Sequence, residues 1–158
     1  HHAGLGPFLS TPDALLGPLL DHVGVTEDDV VVDLGAGDGR IVTTAASSYG
    51  CRAIGIEQDE RLVADAARRI ESAGVADRAE VIRGDARSAD LSSATVVVVF
   101  LPIDVVADLF DDLVARLPPG TRVLVHEQSR LPPTLRPDSS TLIVGVHAVT
   151  VAHVWAID

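Results

Sequence analysis

The sequence predicts an α/β fold of three layers, with helices on both faces of a mainly parallel, seven-stranded sheet that ends in an antiparallel hairpin. Three observations predict it. Strand-like and helix-like periods alternate from start to finish. The strand-like runs, above all Val30-Val31-Val32 and residues 95–100, show no polar alternation, as in strands covered on both faces. The last two β-rich stretches, residues 141–146 and 149–157, have too little chain between them for a helix, so they pair as a hairpin.

Each element has its own signal. Thr11-Pro12-Asp13 starts a helix: a hydroxyl N-cap, proline at the first helical position, then an acid. Leu16, Leu19, Leu20 and Val23 follow on one face, Gly17-Pro18 is expected to kink the helix, and Gly24 ends it. The first strand begins at Val30. After a glycine-rich turn, Ile41, Val42, Ala45 and Ala46 share a helical face. Residues 53–57 form the second strand. Leu62, Val63, Ala66, Ala67 and Ile70 then repeat at helical spacing, with charges opposite. Residues 80–84 and 95–100 are the third and fourth strands. Val106, Leu109, Phe110, Leu113, Val114 and Leu117 form the next stripe, which Pro118-Pro119-Gly120 terminates, and residues 122–127 are the fifth strand.

The 158 residues suit one core, and no repeat or linker divides them. Residues 11–158 are expected to form a single domain after a segment 1–10, which opens on His1-His2, the remnant of a purification tag. No apolar run reaches membrane-spanning length and no signal peptide is visible, so a cytoplasmic location is expected and no membrane partner. The single cysteine, Cys51, excludes an internal disulfide and a cysteine-based zinc cluster, and reads as a buried structural thiol. His147 and His153 make no metal-ligand pattern, so no metal is expected. The net charge of −11, from 23 acidic and 12 basic residues, repels phosphate backbones; nucleic acid is not expected as a partner.

The chemistry concentrates at strand ends. The first strand runs into Asp33-Leu34-Gly35-Ala36-Gly37-Asp38-Gly39 and then a helix. Glycines there let the chain turn tightly and bring backbone N–H groups close to a ligand. A dinucleotide fingerprint needs G-x-G-x-x-G, but Arg40 stands where its third glycine falls. Asp33 and Asp38 would be costly beside a pyrophosphate and favourable beside a ligand with an ammonium and a sulfonium, which points to S-adenosylmethionine. Glu57, ending the second strand, can accept from both ribose hydroxyls. Asp85, after the third strand, can accept from the adenine amine, and the Ala86 N–H can donate to a ring nitrogen. Phe100-Leu101-Pro102 ends the fourth strand, where the methyl group would be presented. Phe100 brings no amide or acid to hold a planar nitrogen, which leaves aliphatic amines, carboxylates and hydroxyls as acceptors. His126-Glu127 ends the fifth strand; the pair could serve as a base or orient a substrate, and His126 reads equally as a loop histidine hydrogen-bonded to backbone.

In this order the motifs resemble class I, seven-β-strand, S-adenosylmethionine-dependent methyltransferases. The likeness is closer still to the small archaeal and mitochondrial-type protein-lysine methyltransferases. It rests on Ser10-Thr11-Pro12, Asp33-Leu34-Gly35, Gly37-Asp38-Gly39-Arg40-Ile41, Ala94-Thr95-Val96-Val97, Leu117-Pro118-Pro119-Gly120-Thr121-Arg122-Val123 and His126. The resemblance implies a Rossmann-like three-layer sandwich and S-adenosyl-L-homocysteine as product. It implies a cofactor site of Thr11, Asp33, Gly35, Ala36, Gly37, Glu57, Gln58, Asp85, Ala86 and Phe100, with Thr11 closing over the cofactor. Phe100, Leu101, Pro102 and His126 would surround methyl transfer, with no essential base assigned. The implied acceptor is a protein lysine, and the chain is expected to act as a monomer or homodimer. The absence of an insertion long enough for a lid leaves the site open, which suits a side chain on a large partner. A small-molecule methyltransferase and an inactive cofactor-binding protein are the alternatives, with a nicotinamide dehydrogenase disfavoured by Arg40. Phe100-Leu101-Pro102 and Glu127-Gln128-Ser129-Arg130 depart from the archaeal pattern, which has aromatic residues after the position of His126.

Overall fold

A computed structural model of the chain describes residues 11–126 and 130–158. Five parallel strands come first: β1 (Val30–Leu34), β2 (Arg52–Glu57), β3 (Ala79–Arg83), β4 (Val96–Val99) and β5 (Arg122–His126). β6 (Ser139–Gly145) and β7 (Ala148–Ala156) close the sheet as an antiparallel pair, giving the order β3-β2-β1-β4-β5-β7-β6. The expected seven-stranded plan is therefore present. The strand limits differ by a residue or two: β4 stops at Val99, so Phe100 has already left the strand, and β6 starts two residues early. Glu127, expected to end the fifth strand, lies outside the described residues, as do Ser10, Gln128 and Ser129.

Side chains alternate between two cores because successive strand residues point to opposite faces. Val31, Val96, Val98 and Leu124 pack with α1 (Asp13–His22) and α2 (Arg40–Ser48), joined by Ile70 of α3 (Glu60–Ser72). Val32, Leu34, Val97, Val99, Val123, Val125 and Trp155 pack with α4 (Ile103–Ala115) on the other face. Burial on both faces explains the unbroken valine runs. α3 lies towards the β3 margin, so its buried stripe narrows to Ala66 and Ile70, and the Ala67 of the expected stripe is exposed. Cys51 is buried, its Sγ 3.4 Å from the Ala45 carbonyl oxygen, and burial pushes the thiol up. Among the described residues no helix is long and apolar enough to cross a membrane.

The start of α1 corrects one expectation. Pro12 occupies the N-cap and no side chain caps the helix; the Thr11 hydroxyl bonds elsewhere. α1 runs as one helix through Pro18. Pro18 has no N–H for the Ala14 carbonyl four residues back. That carbonyl oxygen lies against Gly145 of β6, where a Cβ would collide with it. Glycine at 145 lets α1 lie directly on the last strand.

Candidate active site

The C-terminal ends of β1 to β5 share one edge of the sheet. β1 sits between β2 and β4, where the strand order reverses, and open α/β sheets bind ligands at such a crevice. The loop after β1 turns on three glycines with positive φ: Gly35 (83°), Gly37 (58°) and Gly39 (80°). Gly35 also lies against the exit of β4. A Cβ there would come within 2.7 Å of Leu101 Cδ2 and 2.8 Å of the Phe100 carbonyl oxygen.

Glu57 joins this loop to the end of β2. Its Oε1 accepts from the Gly37 N–H at 2.9 Å and its Oε2 from the Asp59 N–H at 2.8 Å. Each oxygen keeps a further acceptor position. Asp59 in turn caps α3, accepting from the N–H groups of Arg61 and Leu62.

Asp33 is buried in β1, and its Oδ1 has no hydrogen-bond partner among the described residues. Burial, and then the charge of Glu57, push its carboxyl up to about 8. A buried acceptor without a partner is costly, and a cationic donor removes the cost. The ammonium of S-adenosylmethionine is such a donor, so the residues present fit that cofactor.

Asp38 departs from its expected place beside the ligand charge. Its carboxylate receives a two-pronged contact from Arg40, Nε at 3.0 Å and Nη2 at 2.7 Å, and a third from Arg69 Nη2 at 3.3 Å. The Arg40 hydrogen bonds outweigh burial and hold Asp38 below the usual carboxylate range. Arg40 Nη1 also donates to the Thr11 carbonyl oxygen at 3.1 Å. The residue that replaces the third fingerprint glycine therefore clamps the loop to the N-terminal segment.

The other expected cofactor residues lie on the same edge. Asp85 follows β3, accepts from the Arg87 N–H at 2.8 Å and caps a 3₁₀ turn, Ala86–Ser88. Ala86 is buried and Gln58 is half-buried. Ala36 is buried, with its N–H on the Ile56 carbonyl.

Beyond β4, the Phe100 ring stacks on His126, with centroids 4.4 Å apart and planes 7° from parallel. His126 is buried. Its Nε2 lies 3.0 Å from Thr11 Oγ1 and its Nδ1 3.4 Å from Thr150 Oγ1. Both ring nitrogens thus face hydroxyl groups, an arrangement that positions a ring. Leu101 is half-buried against the α4 core, and Pro102 is the N-cap of α4. In the sequence Arg40 stands out only as a missing glycine, and Thr150 does not stand out at all. Asp38 and Arg40, two apart in one tight turn, carried a signal for the clamp; Thr150, 24 residues from His126, carried none.

Residues 33–129 match the family described as the ANTKMT methyltransferase domain, which covers more than half of the chain. The chain belongs to this family. It is an S-adenosylmethionine-dependent methyltransferase with the Rossmann-like fold of its relatives. A protein-lysine N-methyltransferase from Saccharolobus islandicus is 40% identical over 122 residues, which cover 77% of this methyltransferase and 76% of that protein. Among solved structures, an RNA methyltransferase from Salinibacter ruber in complex with S-adenosyl-L-homocysteine superposes with a TM-score of 0.84. It is 40% identical, and the match covers 94% of each chain. A methyltransferase from Geobacter sulfurreducens with the same product bound has a TM-score of 0.66 and 32% identity. That match covers 78% of this methyltransferase and 51% of the other chain.

Proposed function

We propose that this methyltransferase transfers its methyl group to lysine side chains of proteins, and that the sequence-derived cofactor residues hold the donor. Asp33 would take the ammonium, Glu57 the ribose, and Asp85 with Ala86 the adenine. Gly35, Ala36 and Gly37 would supply the close backbone, Gln58 would line the ribose side, and Thr11 and Phe100 would close the methyl end.

One observation carries the acceptor reading. The β4 end offers Phe100, stacked on His126, where a planar amine would need a polar grip. An aliphatic amine needs none. The charge of −11 adds to this, since it attracts a lysine-rich protein and repels a phosphate backbone. The 40% identity to a protein-lysine methyltransferase agrees.

S-adenosylmethionine, when bound, supplies an electrophilic methyl group on a positively charged sulfur. The residues of the chain then orient and desolvate. A lysine must lose its proton first, which costs roughly 4 to 5 kcal/mol at neutral pH from an ordinary lysine pKa near 10.4. The apolar ring of Phe100 lowers that cost by excluding water around the amine. Both His126 nitrogens are turned to hydroxyls, so His126 holds the Phe100 ring in place and the proton leaves to solvent.

Incubation with labelled cofactor, a panel of basic proteins and total RNA tests the reading. Label should appear on protein and vanish when lysines are blocked by reductive alkylation. Label on RNA, the substrate class in the name of the Salinibacter relative, or label that survives blocking, would overturn it.

A further inference from the structure

The last strand of the sheet carries a surface that the cofactor site does not use. β6 ends the strand order, and no described residue pairs with its outer edge. One of its faces lies on α1, through Ile143 and Gly145. Among the described residues nothing covers Leu142 and Val144 on the opposite face. Leu142 and Val144 are each 64% exposed; they pair across to Val151 and to Val149, itself 47% exposed. Val146, in the turn, is 75% exposed.

Exposed edge strands are ordinarily protected by charge, proline or a bulge. This one has none of these. Residues 139–157 contain no Asp, Glu, Lys, Arg or Pro, in a chain whose net charge is −11.

The placement ties this surface to the site. β6 and β5 both run antiparallel to β7, so they are parallel to each other and the hairpin turn lies at the site edge. His126 is level with Ala152 and, through it, with Thr141. From Leu142 to Gly145 the hairpin continues past that level, an overhang of roughly 13 Å at about 3.3 Å per residue. The same β7 strand supplies Thr150, which faces His126 Nδ1. A strand added to β6 would lie roughly 14 Å from β5, three strand spacings away. Four or five extended residues span that distance.

We propose that the outer edge and open face of β6 dock an extended segment of a basic protein, with the acceptor lysine a few residues along the chain from it; this rests on the lysine reading above. Main-chain pairing to β6 supplies affinity with little demand on sequence, and the Leu142–Val144 face takes β-branched or apolar side chains. Charge selects the occupant. Main-chain pairing and apolar contact are open to any extended segment, but a second copy, also at −11, is repelled, and a basic polypeptide is attracted.

The test compares the wild type with Leu142→Lys/Val144→Lys, which adds like charge against a basic segment, and with the milder Leu142→Thr/Val144→Thr. Both sites are exposed, so the fold and cofactor affinity should persist; calorimetry with S-adenosylmethionine checks this. The acceptors are a core histone mixture and N-acetyl-lysine amide, which is too small to reach β6. On histones, kcat/KM should fall at least tenfold for the lysine variant and about threefold for the threonine variant, mainly through KM. On the amide it should not change. An unchanged KM for histones, or an equal fall on both acceptors, overturns the docking surface alone. A wild type that methylates neither acceptor overturns the lysine reading and the docking surface together. Light scattering that finds a dimer in the wild type and a monomer in the lysine variant overturns the proposal in favour of a second copy.

Discussion

The Gly37 N–H donates to Glu57 Oε1 over 2.9 Å, so the carboxylate at the end of β2 also sets the shape of the glycine loop. Its second oxygen accepts from Asp59. Glu57→Gln would turn an N–H₂ towards one of these backbone N–H groups and leave it without an acceptor. A lost hydrogen bond to a charged group is worth about 1.5–3 kcal/mol. We expect S-adenosylmethionine affinity to fall roughly 10- to 100-fold, since the loop and its ribose acceptor fail together. Calorimetry reads this directly, and an affinity within threefold of the wild type would refute the coupling.

Asp33 makes the empty protein sensitive to pH. Its carboxyl is raised to about 8, above the ordinary value near 3.9 of the unfolded chain. The folded state therefore holds this proton more tightly than the unfolded state does. The stability this provides is complete below about pH 4 and is lost as pH rises through about 8. Asp33→Asn removes the titrating group, so the variant should melt roughly 5 °C above the wild type at pH 8.5. Near pH 4 the two should converge. The variant should also lose most of its cofactor affinity, because its neutral amide cannot pair with an ammonium. A variant less stable than the wild type at pH 8.5 would contradict the burial of an unpaired carboxyl.

His126 separates a positioning role from a catalytic one. Thr11→Val removes the hydroxyl that faces Nε2 at 3.0 Å and should lower kcat/KM for the acceptor about tenfold, the effect of one buried hydrogen bond. His126→Gln keeps a polar group but loses the ring stacked on Phe100. It should lower activity while the pH dependence of kcat keeps its shape. Disappearance of a limb near pH 6 to 7 would instead mark His126 as a general base.

Much of this was written in the sequence because it depends on local order. Val30-Val31-Val32 and the valines of β4 announce strands buried on both faces, and they form the centre of the sheet. Asp33, Glu57 and Asp85 stand at or after the ends of three successive strands, which is enough to place them on one edge. Side-chain partners across long separations were not legible. Thr11 looks like an N-cap until His126, 115 residues away, offers a nitrogen to its hydroxyl. Asp38 looks like a ligand residue until Arg40 and Arg69 take its charge. Ala67 fits the helical stripe, but α3 lies towards the sheet margin, where only a narrow face is covered.

Part of the sequence signature belongs to the opposite edge of the sheet, where it acts on stability. Arg122 Nη2 contacts Asp29 Oδ1 at 2.6 Å, and Thr95 Oγ1 donates to the same oxygen at 2.7 Å while accepting from the Val30 N–H at 2.8 Å. These contacts tie together the beginnings of β1, β4 and β5. Burial pushes the Asp29 carboxyl up, but hydrogen bonds from Thr26 and Thr95 and the charge of Arg122 hold it below its ordinary value. Its contribution is therefore present above the unfolded pKa near 3.9 and lost as pH falls through the lower folded value. Arg122→Leu should cost about 1–3 kcal/mol at pH 7, less than a fully buried pair because the arginine is 31% exposed. Denaturant unfolding at pH 7 and pH 3 measures the cost at each pH, and the gap from wild type should narrow at pH 3, where the unfolded chain binds the Asp29 proton more readily than the folded one. Cofactor affinity at pH 7 should stay within twofold, because the contact lies a full strand length from the glycine loop. A gap that stays the same at both pH values would show that Arg122 stabilises through its packed stem and its Nη1 hydrogen bonds to the Val23 and Gly24 carbonyl oxygens instead of through Asp29.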